Sequence, residues 1–411
     1  MTSSTTSANV PAQQARNQPV ALQALTFLDE GQEVTVGRAD TDSYAVLPAE
    51  GASLLRQLGQ GLTPDEAAGW YERTYGERVD IDDFLDGLGE LGFLRAPDEA
   101  AHPAPPVRWG QLGRMVFSPV GGACLAAVLI ASALAMRRSP ELVPSYHDLF
   151  FTHYMTILEL VMFLGQFPLL LLHEAAHALA GRRLGLRTRL SVGRRMYYIV
   201  FLTAMDGLVA VPRRKRYLPM LAGMLADLSV LAVLVLVADA TRRTDGALSP
   251  ASSVALSFAY LTLLRLAWQF FFYLQTDLYY VLVTVLGCVD LQGTARAVLR
   301  DRLRRALRRP APPDQHASPH PRDLAVARWY SWLLLAGWTA SIAILITGVI
   351  PLTGLVLLTV VDRFGSSGTH SAAALADSIV FVLLNVGQPV ILVALVLRER
   401  RLRSHPGTLG S

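Results

Sequence analysis

Two histidines and a glutamate sit inside an apolar run of this sequence. The stretch LLLHEAAHALAGRRLG, residues 170–185, places His173 and His177 four positions apart, with Glu174 beside the first. On a helix that spacing puts both imidazoles on one face, one turn apart. The pattern H-E-x-x-H suits one kind of chemistry. Two neutral imidazoles ligate a zinc ion, and the carboxylate takes a proton from a water that the metal has made acidic. A site of this kind needs a third protein ligand and keeps a fourth position open. The alternative without chemistry has His173, Glu174 and His177 snorkelling to the cytoplasmic interface beside Arg182 and Arg183.

The elements that must position these groups are expected to be membrane helices. The chain has 411 residues, 52% hydrophobic and 17% charged, with a mean hydropathy of +0.35, which is too apolar for an ordinary soluble protein. Apolar runs long enough to cross the hydrocarbon core predict about six transmembrane helices, at 115–136, 153–180, 217–239, 252–275 continuing to 287, 328–350 and 376–397. The run at 351–361 is too short to span alone. Residues 1–20 are polar and low in complexity and predict a disordered tail, with no cleavable signal peptide. A Pro- and Ala-rich linker over 99–112 separates a soluble domain, 21–98, from the membrane core at 113–290. A basic helix with a Pro-rich linker (291–327) and C-terminal membrane helices with a basic tail (328–411) complete the chain.

Charge sets the orientation. Ten Arg and Lys residues lie in loop 182–216, eight in 288–327 and four in the C-terminal RERRLRS, against five in the alternate loops. The positive-inside rule then places the N-terminal domain and the C-terminus in the cytoplasm of a multi-pass cell-membrane protein, expected to be prokaryotic. The net charge of +4 is almost all arginine, Lys215 being the only lysine. These clusters fit anionic lipid and argue against a nucleic-acid partner. With only Cys124 and Cys288 present, neither a disulfide framework nor a thiolate zinc site is available.

The third ligand must lie at the same membrane depth as the histidines. Asp277, in QTDLYY, sits at the matching end of its span and completes a set of two histidines and one carboxylate. It has a competing reading as the cap of a helix that starts near Leu278. Asp206, in LTAMDGLVAVP, is the rival, as a substrate-site or turn residue. Asp227 lies mid-span in LAGMLADLSVLAVLVLV, where an unpaired carboxylate is costly. It reads equally as a functional residue and as a packing residue beside Ala222 and Gly223.

HEAAH at 173–177, AGMLAD at 222–227 and Asp277 resemble, in order and spacing, the motifs of the site-2 protease family of intramembrane zinc metalloproteases. The resemblance covers roughly residues 150–290. Met224 and Asp227 stand where the family has proline and asparagine, and QTDLYY lacks the family's glycine after the aspartate. The resemblance implies His173, His177 and Asp277 as metal ligands and Glu174 as the catalytic general base. It also implies Gly223 and Asp227 as supporting or substrate-binding positions. The β-branched and aromatic segment 194–214 corresponds to a strand or re-entrant loop beside the zinc, able to hold a peptide extended.

Residues 25–48 predict short strands. Helices are predicted over 49–61, over 63–76 with a capping box at Thr63, Pro64 and Glu66, and over 79–94 with Phe84, Leu88 and Leu91 on one face. This order resembles the PqqD-like winged-helix domains that capture leader peptides, which implies a leader-bearing precursor as partner. The basic helix 291–310, with Leu299, Leu303 and Leu307 near one face, is expected to lie on lipid. His316 and His320 read as loop residues. The combined expectation is a polytopic α-helical membrane protein with a small N-terminal α+β winged-helix-like domain, acting as a zinc metallopeptidase on a peptide or membrane-associated substrate. Other maturation or export proteins are possible partners. A non-hydrolytic zinc-binding scaffold or immunity protein remains an alternative. So does a transporter accessory subunit whose Asp227, Arg265 and Asp277 line a pathway.

Overall fold

The computed structural model describes residues 18–30, 33–38, 41, 43–95, 107–152, 154–195, 198–308 and 320–351, with scattered positions between 354 and 383. Residues 1–17, most of the linker, the Pro-rich segment with His316, most of 351–361, most of the expected span 376–397 and the basic tail lie outside the described residues. Two compact units are resolved: residues 1–114 with 178–189 and 204–217, and residues 115–177 with 190–203 and 218–411.

The first unit is built on a meander of β1 (Thr26–Glu30), β2 (Glu33–Arg38) and β3 (Ser43–Pro48), all antiparallel in sequence order. The β-branched Val34, Thr35 and Val36 suit the central strand, and all three are buried. Helices α1 (Ala49–Gly59), α2 (Pro64–Tyr75) and α3 (Ile81–Glu90) follow. Leu55 of α1 and Leu88 of α3 close over Val36 with Phe93 in one core. The expected capping box is formed: Glu66 N–H donates to Thr63 Oγ1 (3.3 Å) and Thr63 N–H to Glu66 Oε2 (3.0 Å). Gly76 then ends α2 at φ 76°, a conformation that only glycine adopts without strain. The short helix α4 (Gly110–Val116) belongs to this unit through its first residues.

The second unit is helical. Among the described residues five helices are long and apolar enough to cross a membrane: α5 (Pro119–Arg138), α6 (Met155–Arg183), α7 (Arg213–Ala240), α8 (Pro250–Trp268) and α11 (Pro321–Ile344). Helices α9 (Asp277–Leu286) and α10 (Leu291–Ala306) form a pair bent by 87° that counts as a sixth if read as one broken span. Between α6 and α7 runs a hairpin, β4 (Arg187–Arg195) with β5 (Tyr198–Asp206). The expected strand over 194–214 is therefore β5 alone, and its partner β4 lies in the arginine-rich stretch before it. Alternating charge hid that strand, because RTRLSVGRR has few residues of high β propensity.

The run read as 252–275 continuing to 287, with a helix start near Leu278 as the alternative, is interrupted between Trp268 and Asp277. Gln269 holds the break: its backbone carbonyl accepts from Thr276 Oγ1 (2.6 Å) and its Oε1 accepts from the Asp277 N–H (3.0 Å). Gln275 turns the chain at φ 54°. In α10 the residues Leu291 and Ala295 are buried against Tyr330 and Leu334 of α11. Leu303 and Leu307 are exposed, whereas Leu299, expected near the same face, packs against this core.

Small residues set how closely these helices pack, as in membrane bundles generally. Ala135, Ala238, Ala255 and Ala259 bring α5, α7 and α8 together at one end. Gly165 of α6 faces the Phe258 ring of α8, where an added Cβ would lie 2.1 Å from a ring carbon. Overpacking of this kind costs about 1–3 kcal/mol. Gly165→Ala should therefore lower the unfolding midpoint in detergent, and adding Phe258→Ala should recover part of the loss. An unchanged midpoint in the single variant would contradict this contact.

Candidate metal centre

The polar cluster is built on α6 and α7, which run antiparallel through this part of the unit. On α7, positions 219, 223 and 227 lie one turn apart along one face. They oppose His177 and His173 in reverse order. The Pro219 carbonyl accepts from His177 Nδ1 at 2.7 Å, and Asp227 Oδ2 accepts from His173 Nδ1 at 2.9 Å. A carbonyl can only accept, so the proton of His177 is on Nδ1. Asp227 already accepts two guanidinium N–H groups, so the proton of His173 is on Nδ1 as well. A neutral ring held this way presents the Nε2 lone pair on its other side.

Those two nitrogens meet Asp277 of α9. His173 Nε2, His177 Nε2 and Asp277 Oδ2 stand 3.2 Å apart in all three pairings. Left unprotonated, three acceptor atoms at this separation repel one another, and a cation lying among them removes that repulsion. Zinc bonds of ~2.0 Å at the tetrahedral angle put ligand atoms ~3.3 Å apart, so the triangle has the size that such coordination requires. The cluster of His173, His177 and Asp277 can thus hold a metal ion. The histidines are each about 5% exposed, while the Asp277 side chain is 23% exposed.

Gly223 makes room for this arrangement. A Cβ at position 223 would lie 2.3 Å from His177 Nε2 and 2.5 Å from His173 Nε2, within a few tenths of an ångström of a metal–imidazole bond length, ~2.0–2.1 Å. Any side chain here would occupy the space against which the two ring nitrogens converge.

Behind His173 a second layer of groups extends into the bundle. Arg265 of α8 grips Asp227 with two hydrogen bonds, Nη2 to Oδ1 (2.6 Å) and Nε to Oδ2 (3.0 Å). Its Nη1 donates to Gln166 Oε1 on α6 at 2.9 Å. Asp227 is fully buried, so removing either partner would strand a charge in apolar surroundings. Glu174, Asp227 and Asp277 set three carboxylates against one guanidinium. The formal excess is two negative charges, which one divalent cation neutralises.

Glu174 is 6% exposed. Its Oε2 accepts from Thr203 Oγ1 of β5 at 2.7 Å, and the same hydroxyl lies 3.1 Å from the Glu174 backbone oxygen. The hairpin thereby fixes the carboxylate of the H-E-x-x-H pattern. Asp206 is elsewhere: at the end of β5 it pairs with Arg189 of β4 at 3.1 Å and is not in the metal cluster. Thr203, Gln166, Gln269 and the Pro219 carbonyl escaped sequence reasoning, since single hydroxyls, amides and backbone oxygens carry no motif. Arg265 was legible as an intramembrane charge, and its pairing with Asp227 could have been drawn from the opposite signs of two buried residues.

No family model, curated protein or solved structure matches this chain.

Two outcomes follow from the geometry. Gly223→Ala should abolish stoichiometric metal binding, measured by elemental analysis, with helical content unchanged by circular dichroism, whereas Asp206→Ala should keep its metal. Asp227→Asn should weaken metal affinity by about 10–100-fold in chelator competition, the usual effect of removing the partner that orients a ligating imidazole. Wild-type affinity in Asp227→Asn would show that the carboxylate does not support the ligand.

Proposed function

We propose that this protein is a membrane-embedded zinc endopeptidase of the site-2 protease kind, cleaving a peptide bond in a peptide or membrane-associated substrate at the cytoplasmic side. The observation that carries the reading is the 3.2 Å triangle of two Nε2 atoms and one carboxylate oxygen, with Glu174 adjacent in the same helix turn. His173, His177 and Asp277 would hold the ion. A zinc ion bound there supplies Lewis acidity and lowers the pKa of water.

The chain's own residues account for the rest. Asp227 and the Pro219 carbonyl keep both imidazoles in the ligating tautomer. Glu174, steadied by Thr203, takes a proton from the attacking water and delivers it to the leaving amine nitrogen. The surrounding helices exclude bulk water, so the scissile segment must arrive already extended. The β4–β5 hairpin supplies unpaired strand edges that can receive such a segment. The domain at 21–98, with its three-stranded sheet and three helices, would act as a PqqD-like winged-helix module that captures the leader of a ribosomally made precursor.

The transporter reading is weakened by Asp227 and Arg265, which pair with each other behind His173 instead of standing open to line a path. The test combines metal content with turnover. Purified protein should contain about one zinc per chain, lost in His173→Ala and in Asp277→Ala. It should also cleave members of a quenched-fluorescence peptide library in detergent, with Glu174→Gln keeping the zinc but losing cleavage. Zinc-free wild type, or cleavage that survives Glu174→Gln, would sink the peptidase reading.

A further inference from the structure

A second site lies in the first unit and is independent of the peptidase reading. A cavity of about 620 Å³ is lined by Val107, Trp109, Leu112, Arg114, Arg182 and Arg183, with Gly110, Gln111 and Gly185. Three arginines thus line one hollow. Among the described residues neither Arg114 nor Arg183 has a carboxylate partner, and Arg182 uses only its Nε, donating to Thr188 Oγ1 at 2.8 Å. Like charges gathered without counter-charges repel one another, and an anion in the cavity removes that repulsion.

The seat is built by close backbone approach. A Cβ on Gly113 would lie 2.3 Å from the Leu179 carbonyl oxygen, and one on Gly110 would lie 3.0 Å from the Arg182 carbonyl oxygen. Two glycines one helical turn apart on α4 therefore allow it to lie directly against the end of α6. Trp109 is held at φ 69° and is 62% exposed, with Leu112 40% exposed beside it.

Chain order places this hollow at one membrane boundary. Arg114 precedes the span of α5, while Arg182 and Arg183 end the span of α6. A chain that crosses on α5 and returns on α6 has both positions on the same side of the membrane. An exposed tryptophan and leucine beside arginines at the ends of spans are the composition of a headgroup-level surface.

We infer that this cavity binds a phosphate-bearing anion, namely the headgroup of an anionic phospholipid, with the arginines on the phosphate and Trp109 and Leu112 against the glycerol and upper acyl chain. A free phosphate shares the charge chemistry but has no use for the apolar pair.

The test uses full-length protein, stripped of lipid in neutral detergent and titrated with dioleoylphosphatidylglycerol, dioleoylphosphatidylcholine or inorganic phosphate. Native mass spectrometry and the thermal midpoint are the readouts. Phosphatidylglycerol should bind at one per chain and raise the midpoint. Its affinity should fall about tenfold or more in the Arg114→Gln/Arg183→Gln double variant, because charge-assisted contacts to phosphate are lost. The double variant Arg137→Gln/Arg138→Gln, which removes the same charge at exposed positions, should bind as wild type does. Equal binding of both lipids, unchanged affinity in Arg114→Gln/Arg183→Gln, or equal loss in the control would overturn the site. Inorganic phosphate that matches phosphatidylglycerol in affinity and stabilisation would overturn the lipid assignment.

Discussion

A fully buried carboxylate in the middle of an apolar helix is the constraint on which the rest of the membrane unit turns. Asp227 has no water to solvate it, and an ionised group in that position is tolerated only with partners at hydrogen-bond distance. Its two oxygens are therefore committed, one to Arg265 and one shared between Arg265 and His173. Each commitment places a helix. Arg265 draws α8 toward α7, and through Gln166 it ties α8 to α6 as well. The bond to His173 sets the rotation of α6 so that the Nε2 atoms point away from α7's carboxylate and toward Asp277. Satisfying one costly group thus orients the ligand face of another helix.

That arrangement works only because the backbones approach closely. With a side chain at 223, α7 could not lie near enough for Pro219 and Asp227 to reach His177 and His173 together. A bulkier residue at 165 would likewise meet Phe258, which lies two helical turns before Arg265 on the same helix. The small residues and the polar residues are therefore parts of one design. Glycine supplies proximity, and proximity turns isolated charges into a hydrogen-bonded chain running from Gln166 through Arg265 and Asp227 to His173.

The sequence made most of this cluster legible, for reasons that differ residue by residue. His173, Glu174 and His177 announce themselves, since three ionisable groups within one helical turn of an apolar run are rare unless they act. Asp277 could be found by membrane depth, because span lengths and loop charges place it at the same level as the histidines. The N-terminal strands and helices follow from alternation, a capping box and helical spacing, all of them short-range signals. What stayed hidden depended on tertiary geometry. Whether Asp227 served the site or merely packed could not be decided without the distance to His173. The partner strand β4 was masked by its arginines. A helix start near Leu278 was one reading of the run, but where the break begins and how Gln269 fastens it depend on tertiary contacts.

The difference in exposure among the ligands bears on whether the site is built to act or only to hold a metal. A structural zinc site closes its tetrahedron with four protein ligands, whereas a catalytic one keeps three and leaves the fourth position to water or substrate. Among the described residues the cluster has three members, His173, His177 and Asp277. The two histidines are sealed on the helix side, while the Asp277 side chain is the exposed corner. Asp277 is also the candidate ligand held by the least regular backbone, at the first turn of α9, two residues after the αL residue Gln275 and fastened by the Gln269 side chain. On the peptidase reading proposed above, this exposed and irregularly held corner would be the side from which water and peptide approach.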